Sequence, residues 1–416
     1  MKILHAADLH IDSPLRGLAA YEGAPVTEIR GATRRAVENL VATALARAVD
    51  LVVVAGDVFD GEWKDFNTGL FWGAQLARLH EAGIPVVLIA GNHDAVSEVG
   101  RHLRLPPSVT MLGTARPETV RLDHLDLAVV GQSYATRAVS VDMAAAYPLA
   151  DPALFTVGLL HTSLDGRPGH AAYAPTTLDV LRSRGYQYWG LGHIHQREVV
   201  CADPWVVFSG NTQGRHAREL GPRGATLVTV EGREVRAVEA IPLDVVRWTE
   251  CQVDLSGLTR LDDVWDAART ALEAAVADAG TGLVAARVRL HGRSALHAAL
   301  WRDPERVAAE IRVLATGRGD LWVEKVRLDT RREAALDGDL LAPLVERAHA
   351  AMADPGRLAS YVALFADLRA KLPHELRVSA DAVGDGAPSV GGDAHVLASL
   401  DGSLELIRSL LDEEPA

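Results

Sequence analysis

Short clusters of Asp, Asn and His stand where hydrophobic runs end, in the order Asp8-Leu9-His10, Gly56-Asp57-Val58-Phe59-Asp60, Gly91-Asn92-His93-Asp94, His161 and Gly192-His193-Ile194-His195. This pattern constrains the fold more than any other feature. Ligand-type side chains so far apart are useful only where a fold gathers them, and the strand ends of an α/β sheet are where distant segments meet. Asp, Asn and His supply oxygen and nitrogen donors for divalent cations. A set without thiolate favours manganese, iron or zinc over calcium.

The runs between the clusters read as buried strands and covering helices. Residues 2–6 form a short first strand, and Leu51 to Ala55 a second, ended by Gly56. Leu70, Phe71, Ala74, Leu76, Ala77 and Leu79 recur at helical spacing over residues 67–80. Gly83 closes that helix, and Pro85 opens a strand over 86–90. Strand–helix–strand order implies parallel strands. The later strands, 127–131, 155–160, 188–191, 205–209 and 225–230, look shorter and more antiparallel.

The expected fold is α/β: a two-sheet β-sandwich core flanked by helices over residues 1–245, with a smaller C-terminal α+β domain and a helical tail. Residues 246–335 carry strands at 251–255, 284–290 and 321–328 and helices at 262–279 and 303–315. Residues 336–380 read as a helical pair, 381–395 as a Gly-rich linker, and 396–416 as an amphipathic helix. In that last helix Leu397, Leu400, Leu404, Ile407 and Leu411 repeat like a coiled-coil seam.

Spacing assembles the clusters into a two-cation site. Asp8 and His10 lie two residues apart, as do His193 and His195, so each pair points one way from extended backbone. Asp8, His10, Asp57 and His195 can hold one cation. Asp57, Asn92, His161 and His193 can hold the other, with Asp57 offering one oxygen to each. Such a pair activates a bridging water against a phosphodiester. His93, the histidine of these motifs not used as a ligand, is the candidate general acid. Asp60 is placed to orient it, and Asp94 reads either as a residue that supports the ligands from behind or as a turn residue. His5 falls outside the rhythm and reads as a packed histidine. Trp189 and Trp205 read as core. Arg215 and His216 are candidate DNA-backbone contacts, with an Arg215–Glu219 ion pair as the alternative.

Composition narrows the function. The chain has 416 residues, 48% of them hydrophobic and 23% charged, with a net charge of −13. A surface that gripped nucleic acid everywhere would be basic, so any DNA contact is local. No run of about 18 apolar residues exists, so a membrane span is not expected. The apolar stretch at the start is too short for a signal peptide. Cys201 and Cys251 have no metal-type spacing and read as free thiols, which points to the cytoplasm.

The motifs together resemble the calcineurin-like metallophosphoesterase superfamily. Residues 3–10, 56–60 and 192–195 resemble bacterial SbcD-type DNA repair nucleases. The segments Asp12-Ser13-Pro14-Leu15, 131–134, Tyr173-Ala174-Pro175, 210–216, Arg218-Glu219 and 221–224 are similar to the YhaO-like branch. The likeness covers about residues 1–245 well and the remainder only in layout.

The resemblance implies a metallophosphoesterase fold with a capping domain, two manganese ions, and 3′–5′ exonuclease or endonuclease action on DNA in repair and recombination. It also implies an SMC-like, SbcC-type ATPase partner that docks on the helical pair or the tail, and a homodimer. Asp60 stands where archaeal relatives carry His. Gly61 and Glu62 follow where phosphoprotein phosphatases carry a phosphate-gripping Arg, which speaks against a protein phosphatase. The rival readings are a small-substrate or cyclic-nucleotide phosphodiesterase and a non-catalytic scaffold protein.

Overall fold

The computed structural model describes residues 1–15, 23–60, 65–96, 104–164, 173–280 and 282–332, with isolated positions between 346 and 363. The helical pair, the Gly-rich linker, the leucine seam, Gly61 and Glu62 fall essentially outside the described residues. The chain divides into two compact units. The first takes in most of residues 1–247. The second begins at Trp248 and includes residues 216–220.

The first unit alternates buried strands with covering helices and loops. Its strands are β1 (Lys2–Ala6), β2 (Leu51–Ala55), β3 (Val86–Ile89), β4 (Val109–Met111), β5 (Glu118–Leu122), β6 (Leu127–Gly131), β7 (Phe155–His161), β8 (Tyr188–Gly192), β9 (Glu198–Ala202), β10 (Trp205–Phe208), β11 (Gly224–Glu231) and β12 (Glu234–Pro242). They form two six-stranded sheets, ordered β12-β11-β1-β2-β3-β4 and β5-β6-β7-β8-β10-β9. In the first sheet β1, β2, β3 and β4 run parallel to one another, and β11 runs antiparallel to β1.

Both faces of each central strand are buried, which is why β2 and β7 read as unbroken apolar runs rather than alternating ones. One face of the first sheet, with Ile3, Val53 and Ile89, meets Val129, Phe155 and Leu159 of the second. Its other face packs under α2 (Ala32–Ala46) and α3 (Phe66–Glu81) through Val37, Leu40, Trp72 and Leu76, and the short α1 (Val26–Arg30) precedes α2. The outer face of the second sheet carries Tyr147, Leu181 and Trp189, the middle one from the helix α4 (Leu178–Ser183).

Two sequence expectations change. The strands at 127–131, 155–160, 188–191 and 205–209 are parallel to one another, not antiparallel. Each pair is joined by a crossover long enough to return the chain to the same end, as parallel pairing requires. In the first unit the antiparallel pairs are β1–β11, β11–β12, β5–β6 and β9–β10 among the described residues. On α3 the buried stripe is Thr68, Trp72, Leu76 and Leu79, while Leu70 is exposed. Trp72 is the large residue that sets which side faces inward.

The second unit has a three-stranded sheet of β13 (Val246–Asp254), β14 (Leu283–Ser294) and β15 (Leu321–Arg332), with β14 central. One face packs against α5 (Leu261–Ala279), α6 (His297–Arg302) and α7 (Pro304–Val313) through Val253, Val264, Leu272, Val288, Leu300 and Ile311. Asp303 caps α7 by accepting from the Arg306 N–H, and Pro304 opens the helix.

Gly158 on β7 allows the Trp189 ring to lie against bare backbone: a β-carbon there would fall 2.4 Å from Trp189 Cε3. Gly158→Val is expected to destabilise the protein by roughly 1–3 kcal/mol through overpacking. Urea unfolding should show a lower midpoint with an unchanged slope. An unchanged midpoint would mean that the indole ring yields at no cost.

Candidate metal centre

The site begins with two loops zipped together beyond the ends of β1 and β2. Asp8 N–H donates to Gly56 O at 3.0 Å, His10 N–H to Asp57 O at 3.1 Å, and Ile11 N–H to Val58 O at 3.0 Å. The pairing continues the parallel sheet after the chain has left regular strand geometry. Asp8, His10, Asp57 and His193 take positive φ values of 52°, 42°, 54° and 93°. Such conformations cost of order 1–3 kcal/mol each in non-glycine residues and persist only where the surroundings enforce them. Asp12, also at positive φ (58°), is the anchor. Its carboxylate accepts two hydrogen bonds from Arg34 of α2, at 2.7 and 2.5 Å, and one from the Thr68 hydroxyl of α3.

Two groups of lone pairs then converge. In one, His10 Nε2 and His195 Nε2 face each other at 3.2 Å, with Asp8 Oδ1 4.0 Å from His195 Nε2 and Asp57 Oδ2 4.0 Å from His10 Nε2. In the other, His161 Nε2 lies 2.9 Å from Asn92 Oδ1 and 3.3 Å from Asp57 Oδ2. The His161 Nδ1–H donates to Ala55 O at 2.9 Å, which turns Nε2 towards this cluster. The His193 ring stands edge-on to His161, with centroids 5.3 Å apart, and its backbone N–H donates to both oxygens of Asp8 at 3.1 and 3.0 Å. Asp8, His10, Asp57, Asn92 and His161 are buried, whereas His193 and His195 are half-buried, the His195 side chain 26% exposed.

The electrostatics are those of a cation site. Burial pushes His10 down to about 3, leaving a neutral imidazole with a lone pair to give. Burial raises the Asp8 carboxyl. At Asp57 burial acts in the same direction but is outweighed, chiefly by His161, so Asp57 stays ionised. Burial alone would lower His161, but the Asp57 carboxylate dominates and pushes it up to about 9. A proton on His161 Nε2 is therefore what balances Asn92 Oδ1 and Asp57 Oδ2 at neutral pH. A divalent cation suits the same oxygen and nitrogen donors and supplies more charge. Close groupings of Asp8, His10 and His195 and of Asp8, Asp57 and His161 each offer atoms within 4.8 Å of one another.

Beside these clusters sits a separate pair. His93 Nδ1 is 2.9 Å from Asp60 Oδ1, and the His93 side chain is 30% exposed. Burial works against protonating His93, yet the hydrogen bond to Asp60 and the Asp57 charge raise it above the ordinary histidine value. Asp60 is held well below the usual carboxylate range despite burial, by His10, His93 and Arg215. The Ser13 hydroxyl donates to Asp60 Oδ2 at 2.6 Å, and Arg215 reaches the same oxygen at 3.7 Å.

Comparison with known proteins decides the family. Residues 1–197 match the calcineurin-like phosphoesterase model, and residues 248–331 match the middle domain of metallophosphoesterase YhaO. Residues 1–197 belong to the calcineurin-like metallophosphoesterase family. It is 35% identical over 260 residues to the uncharacterized metallophosphoesterase YhaO of Bacillus subtilis, covering 62% of this chain and 64% of that protein. To the DNA double-strand break repair protein Mre11 of Haloferax volcanii it is 27% identical over 276 residues, covering 62% of this chain and 55% of the relative. To the SbcD component of the SbcCD nuclease of Escherichia coli it is 33% identical over 98 residues, covering 23% of this chain and 22% of that protein. The chain thus spans just under two thirds of the length of the YhaO relative and about half of the Mre11 relative.

The site draws on residues behind its ligand motifs, and Asp94 takes the supporting role, one of its two readings from sequence. It accepts from the N–H groups of Val58, Phe59 and Gly91, at 3.1, 2.9 and 3.0 Å, and so ties the loop after β2 to the loop after β3. Burial, with the Asp57 charge, pushes it up to about 6. Tyr134 donates to His161 O at 2.7 Å, and Ser133 Oγ accepts from Ala90 N–H at 2.9 Å. Both lie in the Gly131-Gln132-Ser133-Tyr134 segment, and their position beyond β6 is the signal that could have marked them. Gln213 clasps residues 245 and 246 with both ends of its amide, which sets the start of the loop that carries Arg215.

Arg215 lies over the site, 3.3 Å from His195 Nδ1 and 3.7 Å from Asp60 Oδ2, and His216 lies 3.8 Å from Glu219. His5 is fully buried, with Nδ1 2.9 Å from the Tyr188 hydroxyl, and stands apart from the clusters. Trp189 is core, and Trp205 packs half-buried against the layer between the two sheets.

Gly91 leaves room for this arrangement. A β-carbon there would lie 2.3 Å from Asp57 Oδ1 and 2.8 Å from His161 Cε1. Gly91→Ala is expected to cost roughly 1–3 kcal/mol in chemical denaturation. It should also speed amide exchange at His93, whose N–H donates to Asp57 Oδ1. Exchange at the wild-type rate would contradict the close packing described here.

Proposed function

We propose that this metallophosphoesterase is a dinuclear-metal phosphodiesterase that cuts DNA, with manganese as the working metal. The observation that carries the reading is the crowding of Asp8, His10, Asp57, Asn92, His161 and His195 side chains, with the His193 ring edge-on to His161, beside an ion-paired, partly exposed His93. The first metal would be held by Asp8, His10, Asp57 and His195, and the second by Asp57, Asn92, His161 and His193. When bound, two divalent cations supply positive charge to a phosphoryl group and lower the pKa of a water towards ~7.

The remaining chemistry belongs to the chain. His93 gives its Nε2 proton to the departing alkoxide oxygen, and Asp60 holds Nδ1 so that Nε2 faces outwards. Ser13 and Arg215 keep Asp60 in place and ionised. The Arg215 guanidinium and His216 are the proposed contacts to the DNA backbone. The relatives support DNA as substrate, because the Mre11 proteins are named for double-strand break repair and SbcCD is named a nuclease. The proposal extends to 3′–5′ exonuclease or endonuclease action in repair and recombination, an SbcC-type ATPase partner, a homodimer and a cytoplasmic location. Among the described residues no helix is long and apolar enough to cross a membrane.

Purified protein with manganese is expected to hydrolyse bis-(p-nitrophenyl) phosphate and a DNA hairpin. His93→Ala should keep its metal and lose about 10²–10⁴-fold in turnover, the usual size of a general-acid contribution. Asp57→Ala should lose both metal and turnover. Full activity in Asp57→Ala, or turnover of a cyclic nucleotide with none of DNA, would overturn the reading.

Metal uptake should also depend on pH. His161 sheds a proton to coordinate, so affinity measured by calorimetry is expected to rise with pH and level off above about 9. Below that it should weaken by up to about tenfold per unit from this group. A flat profile from pH 7 to 9 would remove His161 from the ligand set.

A further inference from the structure

The second unit presents a basic sheet face in an otherwise acidic chain. Cys251, Val253, Val288, Leu290, Val326 and Leu328 point into its core. By the two-residue period of a strand, Arg287, Arg289, His291 and Arg293 of β14 therefore share the opposite face. On β15 the same face carries Lys325, Arg327, Asp329 and Arg331. The parallel register sets Arg287 beside Lys325, Arg289 beside Arg327, His291 beside Asp329 and Arg293 beside Arg331. Adjacent strands lie about 4.8 Å apart, so two of these rungs place guanidinium stems next to each other. Like charges at that spacing are unfavourable.

Part of the charge is answered within the sheet. Arg287 makes a two-point ion pair with the buried Glu324 at 2.9 and 3.0 Å, and Arg289 pairs with Asp329. Glu250 and Asp254 lie on the same face of β13, on the far side of β14. Arg293, Lys325, Arg327 and Arg331 are exposed. Along β15 the cations from Lys325 to Arg331 span about 20 Å at the rise of an extended strand, close to the length of about six base pairs of duplex.

We propose that this face binds the phosphate backbone of DNA, held by Arg293, Lys325, Arg327 and Arg331. The inference rests on the phosphodiesterase reading for the identity of the polyanion. It adds a second place where substrate is gripped, with no base-reading contacts and so no sequence preference. It also resolves the conflict between a net charge of −13 and a nucleic-acid substrate. The attraction is local to one sheet, and the rest of the surface need not be basic.

The test uses the full chain in EDTA, so that binding is read without cleavage. A labelled duplex of about 30 base pairs is titrated at several salt concentrations. Arg293→Ser/Arg331→Ser is expected to weaken binding at about 0.1 M salt by roughly tenfold or more. It should also make the dependence of log K on log salt shallower by about two. Lys325→Ser/Arg327→Ser should do the same, because all four positions are exposed.

Manganese-dependent hydrolysis of bis-(p-nitrophenyl) phosphate should be unchanged in both variants, which also reports that they are folded. Wild-type affinity and salt slope in both variants would overturn the inference. Loss of binding in both, in a protein that hydrolyses no phosphodiester, would overturn the catalytic reading and leave this surface standing.

Discussion

Everything at the metal centre depends on two loops being bonded to each other where their strands stop. Three backbone hydrogen bonds from Asp8, His10 and Ile11 to Gly56, Asp57 and Val58 carry the sheet one step past regular geometry. Because the loops are paired, Asp8, His10 and Asp57 can be held at positive φ and aimed at a common point. Without that pairing each residue would relax to an ordinary conformation. The carboxylates and imidazoles would then turn away from one another, since in water nothing favours their crowding.

The second sheet completes the assembly by the same means. His161 stands at the end of β7 and His193 just past the end of β8, and these strands run parallel and adjacent. His161 reaches across to Ala55 O of β2, and His193 reaches back to the Asp8 carboxylate. The two sheets are therefore joined at this end by hydrogen bonds, and between their faces by apolar packing of Ile3, Val53, Leu159 and Phe155. Packing fixes the distance between the sheets. The polar ties fix where the ligand-type atoms come to rest.

Much of this was legible in the sequence because the signals were local. Asp8-Leu9-His10 and His193-Ile194-His195 announce themselves by spacing, and β2 by its unbroken Leu51–Ala55 run. What was not legible depended on distant pairing. Nothing near Leu127 or Tyr188 shows whether the strand there runs with or against its neighbour, since that is set by where each crossover returns. Ser13, Tyr134 and Gln213 are ordinary polar residues until the fold sets them beside Asp60, His161 and Val246. Arg215 was recognisable as a candidate, but its approach to Asp60 was not, because Asp60 is near only in space.

Asp57 divides its two oxygens between different duties. Oδ2 faces His161 and His10, while Oδ1 accepts the backbone N–H of His93. The carboxylate that anchors the charge of the candidate centre and the histidine proposed to release a proton thus share a single hinge. Neither can drift without dragging the other, so natural variation or engineering at one position is forced to re-tune both. A pocket of this kind adapts to new substrates through its rim, leaving its floor untouched.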